Sequence, residues 1–274
     1  MPPSYKYGDT ILKVDNVSLS YDDKVILRDV NAEIRDVVRP ECVQGQVVGF
    51  LGPSGIGKTQ LFRIIAGLNH PTSGRVLCGA AMTPVEPGMV GVVAQSYPLF
   101  ENRTIFSNLM LAAQQREKGR EAAHEKVMGY LRRLDMEDKA SHYPCQISGG
   151  QRQRIAIAQQ LLCSDHFLLM DEPFSGLDIV MEAKVCELII EIASLDELNT
   201  IIVVTHDVTA AATVSDHMWL MGRDRDEKGE IIPGARIQET YDLIERDLCW
   251  HPGITSSPRF VEFVTEVKER FKTL

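Results

Sequence analysis

Gly52-Pro53-Ser54-Gly55-Ile56-Gly57-Lys58-Thr59 is a complete G-x-x-x-x-G-K-T phosphate loop. The glycines let backbone N–H groups turn towards a β-phosphate without Cβ clashes, and Lys58 can reach the β- and γ-phosphates. The Thr59 hydroxyl suits Mg²⁺, and a helix predicted from Thr59 to Gly67 directs the positive end of its dipole at the anion. We therefore predict that this segment binds a nucleoside triphosphate.

The apolar pattern around the loop predicts an α/β protein. Residues 47–51 form a short apolar run typical of a buried parallel strand, and similar runs recur at 166–170 and 201–204 with helical patterns between them. This order predicts a P-loop NTPase core, a mixed or parallel sheet with helices. Residues 10–35 alternate on either side of a turn at Asp22-Asp23, which predicts an N-terminal antiparallel β subdomain.

Two further regions are predicted within a single nucleotide-binding domain spanning residues 1–274. From about 98 to 160 the pattern becomes helical, rich in Glu, Arg, Lys and Ala, which indicates an inserted α-helical subdomain. Residues 223–274 form a charged C-terminal extension, interrupted by Gly and Pro, that ends in an amphipathic helix over Phe260–Phe271 packed on the core.

The composition of the chain limits which kinds of partner we expect it to have. The chain has 274 residues and a formal net charge of −9, which disfavours a nucleic-acid partner because such proteins usually present a basic face. The six cysteines are dispersed without a C-x-x-C pair, a pattern typical of reduced thiols in a cytosolic protein. No apolar run is long enough to span a bilayer, so we expect any membrane role to depend on a partner.

Two carboxylates follow the apolar run that ends at Met170. Such a pair suits an NTPase, in which one carboxylate holds Mg²⁺, usually through water, and another polarises the attacking water. We assign Asp171 to the metal and Glu172 to the water. An Asp-Glu pair alone usually marks a solvated loop, but the phosphate loop in the same chain favours the catalytic interpretation.

A second predicted anion site lies at residues 147–154, Ile147-Ser148-Gly149-Gly150-Gln151-Arg152-Gln153-Arg154. Ser148 is a good N-cap, the glycines expose backbone N–H groups, and the following residues give a helix one apolar face. This arrangement builds an anion site at a helix N-terminus. Since one triphosphate does not need two such sites from one subunit, we expect a site shared between two subunits.

The segment resembles the Leu-Ser-Gly-Gly-Gln signature of the ATP-binding cassette family, with Ile147 in the first position. The resemblance covers roughly residues 11–222, and further family elements recur in order. Tyr21 stands where the family places an aromatic that stacks on adenine, and Gln95 matches the Q-loop glutamine linked to Mg²⁺. Ser175-Gly176-Leu177-Asp178 matches the D-loop, and His206 matches the switch histidine.

The resemblance implies an ATP sandwich of two cassettes, in which the phosphate loop of one subunit meets the signature of the other. Lys58, Glu172 and His206 would be the catalytic residues. The metal site for Mg²⁺ would include Thr59, Gln95 and Asp171. The nucleotide site for ATP would include Tyr21, Gly52, Pro53, Ser54, Gly55, Ile56, Gly57, Lys58, Thr59, Gln60, Ser148, Gly149, Gly150 and Gln151. One departure from the family is a longer connection over residues 35–44.

The resemblance further implies an ATPase subunit that powers a membrane transporter, with importers of the nitrate, sulfonate and taurine type the most similar. Its partners would be a second, often identical, cassette, integral membrane permease subunits and possibly a solute-binding protein, with the chain held at the cytoplasmic face of the membrane. Five residues form either a groove for the permease or subdomain core: Met89, Phe100, Phe106, Leu109 and Met110.

Other interpretations stay open. They are an exporter or lipid-trafficking complex, a soluble cassette protein acting on DNA or ribosomes, and a regulatory NTPase without transport. The short interval between phosphate loop and signature lacks sustained heptads, which disfavours the coiled-coil chromosome and repair relatives. Ribosome-acting relatives carry two cassettes, whereas one is present here.

Overall fold

The structure is a computed structural model that describes residues 5–39, 44–94, 96–164, 166–249 and 253–274. Its strands are β1 (Lys6–Tyr21), β2 (Lys24–Val38), β3 (Gln46–Leu51), β4 (Ser73–Cys78), β5 (Thr83–Pro84), β6 (Val90–Val93), β7 (Phe167–Asp171), β8 (Thr200–Thr205), β9 (His217–Arg225) and β10 (Ile231–Asp242). Its α-helices are α1 (Lys58–Ile65), α2 (Ile105–Ala113), α3 (Arg120–Arg133), α4 (Gly149–Cys163), α5 (Ile179–Ala193), α6 (Val208–Val214) and α7 (Pro258–Phe271).

The strands of these residues form one mixed sheet in the order β5-β4-β1-β2-β10-β9-β3-β8-β7-β6. Strands β9, β3, β8, β7 and β6 are parallel to one another, whereas β5, β4, β1 and β2 pair antiparallel. The predicted antiparallel β region is present, with a turn at Asp22-Asp23 between β1 and β2. The predicted α/β class, a parallel core joined to an antiparallel β region, is therefore confirmed.

The core strands are buried on both faces. Every residue of β3 and of β8 is buried, which agrees with their unbroken apolar runs, since a parallel sheet is covered by helices on both sides. Helix α1 packs in the cluster that contains Phe50 of β3, while α5 packs in the cluster that contains Val47. These two layers hold β3 and the loop that follows it.

Residues 96–164 contain helices and turns and no strand. Helices α2, α3 and α4 share an apolar cluster built on Ile105, Val127 and Ile155. Leu109 and Met110 belong to this cluster and are buried, so they are core residues and not part of an exposed groove. Phe106 and Met89 are half-buried against apolar clusters, whereas Phe100 is 53% exposed.

The C-terminal part adds to the sheet, which the sequence pattern did not predict. Strand β10 pairs antiparallel with β9 and meets β2 at Ala235 and Leu27. The predicted terminal helix is present as α7, whose buried Phe260 and Val264 share a cluster with Leu51, the last residue of β3. None of the helices in the described ranges has both the length and the apolar character needed to cross a membrane.

A buried ion pair joins the end of β2 to the start of β9. Arg39 follows β2 and Asp216 precedes β9, and their side chains are only 1% and 4% exposed, with Arg39 Nη2 lying 3.0 Å from Asp216 Oδ1. The other oxygen of Asp216 accepts from the backbone N–H of Val47 at 2.7 Å, and Arg39 donates to the carbonyl of Gln44 at 2.9 Å. The connection predicted over residues 35–44 begins later than expected, because β2 continues to Val38. Arg39 and Gln44 flank its residues 40–43, which lie outside the described residues. The pair thus fixes both ends of that connection to the sheet.

We expect Asp216→Asn to lower the free energy of unfolding by about 3–5 kcal/mol, because it leaves the Arg39 charge buried and uncompensated. The exposed pair Lys272–Glu269 provides the control, and Lys272→Ala should lower the free energy of unfolding by about 1 kcal/mol or less. Urea denaturation followed by circular dichroism measures both variants. Equal costs for the two substitutions would contradict a structural role for the buried pair.

Candidate functional site

The phosphate loop lies between the end of β3 and the start of α1, as predicted. Gly57 is the N-cap of α1 and has φ 117°, a conformation that favours glycine. A Cβ atom there would also come within 3.2 Å of Leu27 and 3.3 Å of Ile26. At the other end of the loop, a Cβ on Gly52 would lie 3.0 Å from the carbonyl oxygen of Met221 on β9. The backbone at Gly57 therefore favours glycine, and a Cβ at Gly52 would crowd the backbone of β9.

Lys58 is buried, and its ammonium group is held by the loop itself. Its Nζ donates to the carbonyls of Gly52 at 2.7 Å and Pro53 at 3.2 Å, and lies 3.8 Å from Glu172 Oε1. Burial lowers the pKa of Lys58, and the negative charges of Glu172 and Asp171 oppose that shift. The lysine is thus placed where it faces both carboxylates.

The two carboxylates occupy the end of β7. Asp171 is the last residue of the strand, and Glu172 has a left-handed backbone with φ 49° that turns the chain away from the strand path. The backbone N–H of Glu172 still donates to Val204 O of β8 at 2.8 Å. Burial and the neighbouring charge of Glu172 raise the pKa of Asp171, against the opposing effect of Lys58 and Arg63.

His206 meets Glu172 because β7 and β8 are adjacent parallel strands that end at the same edge of the sheet. His206 Nδ1 lies 2.9 Å from Glu172 Oε2, and the Thr205 hydroxyl donates to the same oxygen at 3.2 Å. Asp207 accepts from the N–H of Ala210 and caps α6, which holds the segment in place. One oxygen of Glu172 thus faces His206 and the other faces Lys58.

The sequence pattern did not predict the contact between Thr205 and Glu172. The apolar run 201–204 ends immediately before it, but nothing in that pattern shows that its hydroxyl turns towards Glu172.

Tyr21 lies at the end of β1, beside the helix that follows the phosphate loop. Its hydroxyl donates to Gln60 Oε1 at 3.0 Å, and the side-chain amide of Asn69 donates to the Tyr21 hydroxyl at 3.0 Å. Tyr21 remains 48% exposed and contacts Gln60, the residue that follows the exposed Thr59. The contribution of Asn69 was also missed, since it lies 48 residues from Tyr21 in sequence.

Two arginines lie beside the phosphate loop, and nothing in the sequence pattern predicts that they do. Arg223 and Arg225, near the end of β9, line a cavity of about 160 Å³ together with residues 53–56 of the loop. They arrive there because β9 pairs directly with β3. The order of strands in the sheet brings these cations to the loop, and local sequence patterns do not encode that order.

Ser148, Gly149, Gly150 and Gln151 form the N-terminal tip of α4, and we call these residues the signature tip. The first three are exposed, and Gln151 is half-buried. Ser148 Oγ accepts from the N–H of Gln151, and Gln151 Oε1 accepts from the N–H of Ser148 at 2.9 Å, which completes a capping box. A Cβ on Gly149 or Gly150 would meet nothing within 4 Å. The tip is therefore ordered and open.

The phosphate loop and the signature tip are not joined within one chain. In the parts of the chain that the structure describes, no hydrogen bond or ion pair connects residues 148–151 with residues 52–60. Ser175, Gly176 and Leu177 are exposed before α5, whose N-cap Asp178 accepts from the N–H groups of Val180 and Met181. Gln95, predicted as a metal residue, lies outside the described residues.

Comparison with known proteins identifies similar chains. The family model described as ABC transporter matches residues 36–175. The spermidine/putrescine import ATP-binding protein PotA of Haemophilus ducreyi is 38% identical over 238 residues, 85% of this chain. The chain spans only 60% of the length of that relative. The probable amino-acid import ATP-binding protein YxeO of Bacillus subtilis is 32% identical over 272 residues, which cover 94% of this chain and 99% of the relative.

A solved structure supports the same likeness. The dimeric post-hydrolysis state of the ATP-binding cassette MJ0796, bound to ADP and Pi, aligns with a TM-score of 0.62 and 25% identity. The alignment covers 85% of this chain and 99% of that one.

We expect Asp171→Asn to stabilise the chain at neutral pH by up to about 1 kcal/mol, because it removes a half-buried charge next to Glu172 that water only partly screens. The folded-state pKa of Asp171 is raised above 3.8, so the gain should shrink as the pH falls through that raised pKa and the native carboxyl becomes neutral. Thermal unfolding over a pH series checks this. The exposed Asp9→Asn on β1 is the control, and a gain for Asp171→Asn that grows towards acid pH would contradict the prediction.

Proposed function

The chain belongs to the ABC transporter family, and on that premise we propose that it is an ATP-hydrolysing subunit that powers solute import through a membrane permease. One observation carries the proposal. Lys58, Glu172 and His206 come from three separate segments and converge at the phosphate loop, while the signature tip stays open on the same chain. This is the arrangement expected of half of a shared ATP site.

The proposed chemistry is attack of water on the γ-phosphorus of ATP. Glu172 accepts a proton from the attacking water while the bond from the γ-phosphorus to the β–γ bridging oxygen breaks and ADP leaves. Lys58 stabilises the charge on the phosphate oxygens. His206 and Thr205 orient the Glu172 carboxylate, since both contact its Oε2 atom.

The residues present fit a magnesium ion. Asp171 and Glu172 place two adjacent carboxylates near one buried lysine, and the raised pKa of Asp171 reflects burial together with this excess of negative charge. A divalent cation would relieve that excess. We propose that Thr59 and Asp171 hold Mg²⁺, with Gln95 as a further candidate. Bound magnesium would neutralise charge on the phosphates, and its remaining ligands would be phosphate oxygens and water.

The second half of the site is proposed to come from a second copy of the chain. Ser148, Gly149 and Gly150 present helix N-terminal N–H groups to the exterior, which suits the γ-phosphate of a nucleotide bound to another subunit. The cassette of known structure that aligns with this chain is a dimer with ADP and Pi. Two copies related by a twofold axis would complete two equivalent sites.

The membrane partner is proposed from the relatives and from the helical region. The relatives named above are import ATP-binding proteins. Phe100 and Tyr143, in the region that holds the helical cluster, are 53% and 42% exposed, and exposed aromatic side chains suit contact with another protein. We therefore infer integral membrane permease subunits as partners, with the chain on the cytoplasmic face of the membrane and a solute-binding protein supplying the cargo.

Glu172→Gln should keep ATP binding but lower steady-state hydrolysis by roughly 10²- to 10⁴-fold, because the amide cannot accept the proton from water. With ATP and Mg²⁺ present, the variant should also accumulate as a dimer in light scattering. Glu187→Gln on the exposed face of α5 is the matched control and should hydrolyse normally. A Glu172→Gln variant that hydrolyses ATP at the wild-type rate would refute the assignment.

A mixing experiment tests the shared site. Lys58→Ala removes the cation that contacts the phosphates, and Ser148→Arg removes the cap of the signature tip, so each variant alone should be inactive. An equal mixture should recover about a quarter of the wild-type rate, because half of the randomly formed dimers would hold one complete site.

The control for a bulky substitution is Ser141→Arg, at an exposed position away from the tip, which should keep its activity. A fluorescent-nucleotide titration should show weakened binding for Lys58→Ala alone. A mixture no more active than its two components would mean that each chain completes its own site.

A further inference from the structure

A second cleft lies at the edge of the sheet opposite the phosphate loop. The loop follows the carboxyl end of β3, and β9 runs parallel to β3, so its first residue His217 lies at the amino end. Asp242, the last residue of β10, pairs with His217 in the ladder, and β1 brings Tyr7 to the same edge. These strand ends enclose a cavity of about 590 Å³, which we call the strand-start cleft.

The centre of the strand-start cleft is a polar network fixed by internal bonds. The Tyr7 hydroxyl lies 2.9 Å from His217 Nε2 and donates to the Asp242 carboxylate. Burial works to raise the pKa of Asp242, but the hydrogen bonds from His217 and Tyr7 lower it to about 2. Asp242 is therefore ionised and already bonded, and it rigidifies the cleft without offering its charge to a ligand.

The walls of the cleft carry charges of both signs. Strand β2 contributes Glu33 and Arg35, which are two residues apart and so lie on the same face. The turn after β10 contributes Glu245 and Arg246. Each wall therefore presents one carboxylate and one guanidinium group.

Three of these charges form no ion pair among the described residues, although Lys13 of β1 lies opposite Glu33 in the ladder. Arg35 donates to the carbonyl of Gly8 at 3.0 Å and lies 5.5 Å from the centroid of the Tyr7 ring, and it has no carboxylate partner among the described residues. Glu33 accepts from the Thr10 hydroxyl, and neither Glu33 nor Glu245 has a cationic partner there. Arg246, in contrast, is paired with Glu266 at 3.2 Å. One guanidinium and two carboxylates around this cavity thus have no ion-pair partner within 4 Å among the described residues.

We propose that the strand-start cleft binds a small zwitterion of the α-amino acid class. The ligand carboxylate would pair with Arg35 and its ammonium group with Glu33 and Glu245, while its side chain would meet the apolar floor formed by Val48 and Trp219. The carboxylates outnumber the guanidinium groups, which disfavours an anion, and Arg35 disfavours a simple cation. The volume lies within the usual range for small-molecule sites.

The fluorescence of Trp219 can be used to measure binding in the strand-start cleft. The chain has two tryptophans, so Trp250→Phe leaves Trp219, at the floor of the cleft, as the only indole reporter. In this background the twenty common L-amino acids are titrated against the full chain, following fluorescence and, in parallel, isothermal titration calorimetry. We expect saturable binding of at least one amino acid, and it should persist in Lys58→Ala, because the two sites lie at opposite edges of the sheet.

Analogues and variants test the charge pairing. For the amino acid that binds, the N-acetyl derivative, which lacks the ammonium group, and the carboxamide, which lacks the carboxylate, should each bind about tenfold or more weakly. Arg35→Gln and Glu33→Gln should raise the Kd for the amino acid by a similar factor. Arg75→Gln, at an exposed pair with Asp15 on a different strand, is the matched control and should leave the Kd unchanged.

Three results would overturn the proposal. The first is calorimetry that detects no binding by any of the twenty amino acids. The second is equal binding by the parent and by both charge-deleted analogues. The third is a Kd that is the same in Arg35→Gln, Glu33→Gln and the Arg75→Gln control.

Discussion

Burial of β3 between β8 and β9 is the constraint on which the rest of the molecule depends. Val48 pairs with Ile202 on one side and His217 on the other, and every residue of the strand is enclosed. A shift of one residue would send each side chain to the opposite face, so the register is strongly fixed. The phosphate loop starts where β3 ends, and its distance to Glu172 and His206 therefore follows from the β3–β8–β7 register.

The charges around the phosphate loop are arranged for binding at the expense of stability. Asp171 and Glu172 lie side by side, and the buried Lys58 faces both of them while donating to loop carbonyls. Such a group of half-buried charges weakens the folded state unless a further cation and an anion join it. The buried pair Arg39–Asp216 shows the contrasting arrangement of a structural ion pair, since each charge faces the other and Asp216 also accepts from the Val47 N–H.

Local signals predicted the fold class and the segments that carry the proposed site residues, and non-local pairing accounts for what they missed. The glycine spacing of the loop and the apolar runs of β3, β7 and β8 are visible within a few residues. Strand β10 escaped prediction because Pro233 and Gly234 interrupt it, at a shift in its pairing with β9. Thr205 and Asn69 act through side-chain directions across strands and helices, which no periodicity encodes. Leu109 and Met110 were equally compatible with groove and core until the helices were placed.

The capping box at residues 148–151 has a consequence for recognition. The side-chain oxygen of Gln151 accepts a hydrogen bond from the Ser148 N–H. The first turn of α4 is therefore already ordered in the unbound chain. A docking surface that is already ordered loses little conformational entropy on contact. If a second copy presents this tip to a bound nucleotide, as proposed, little of the binding free energy would be needed to order the helix end.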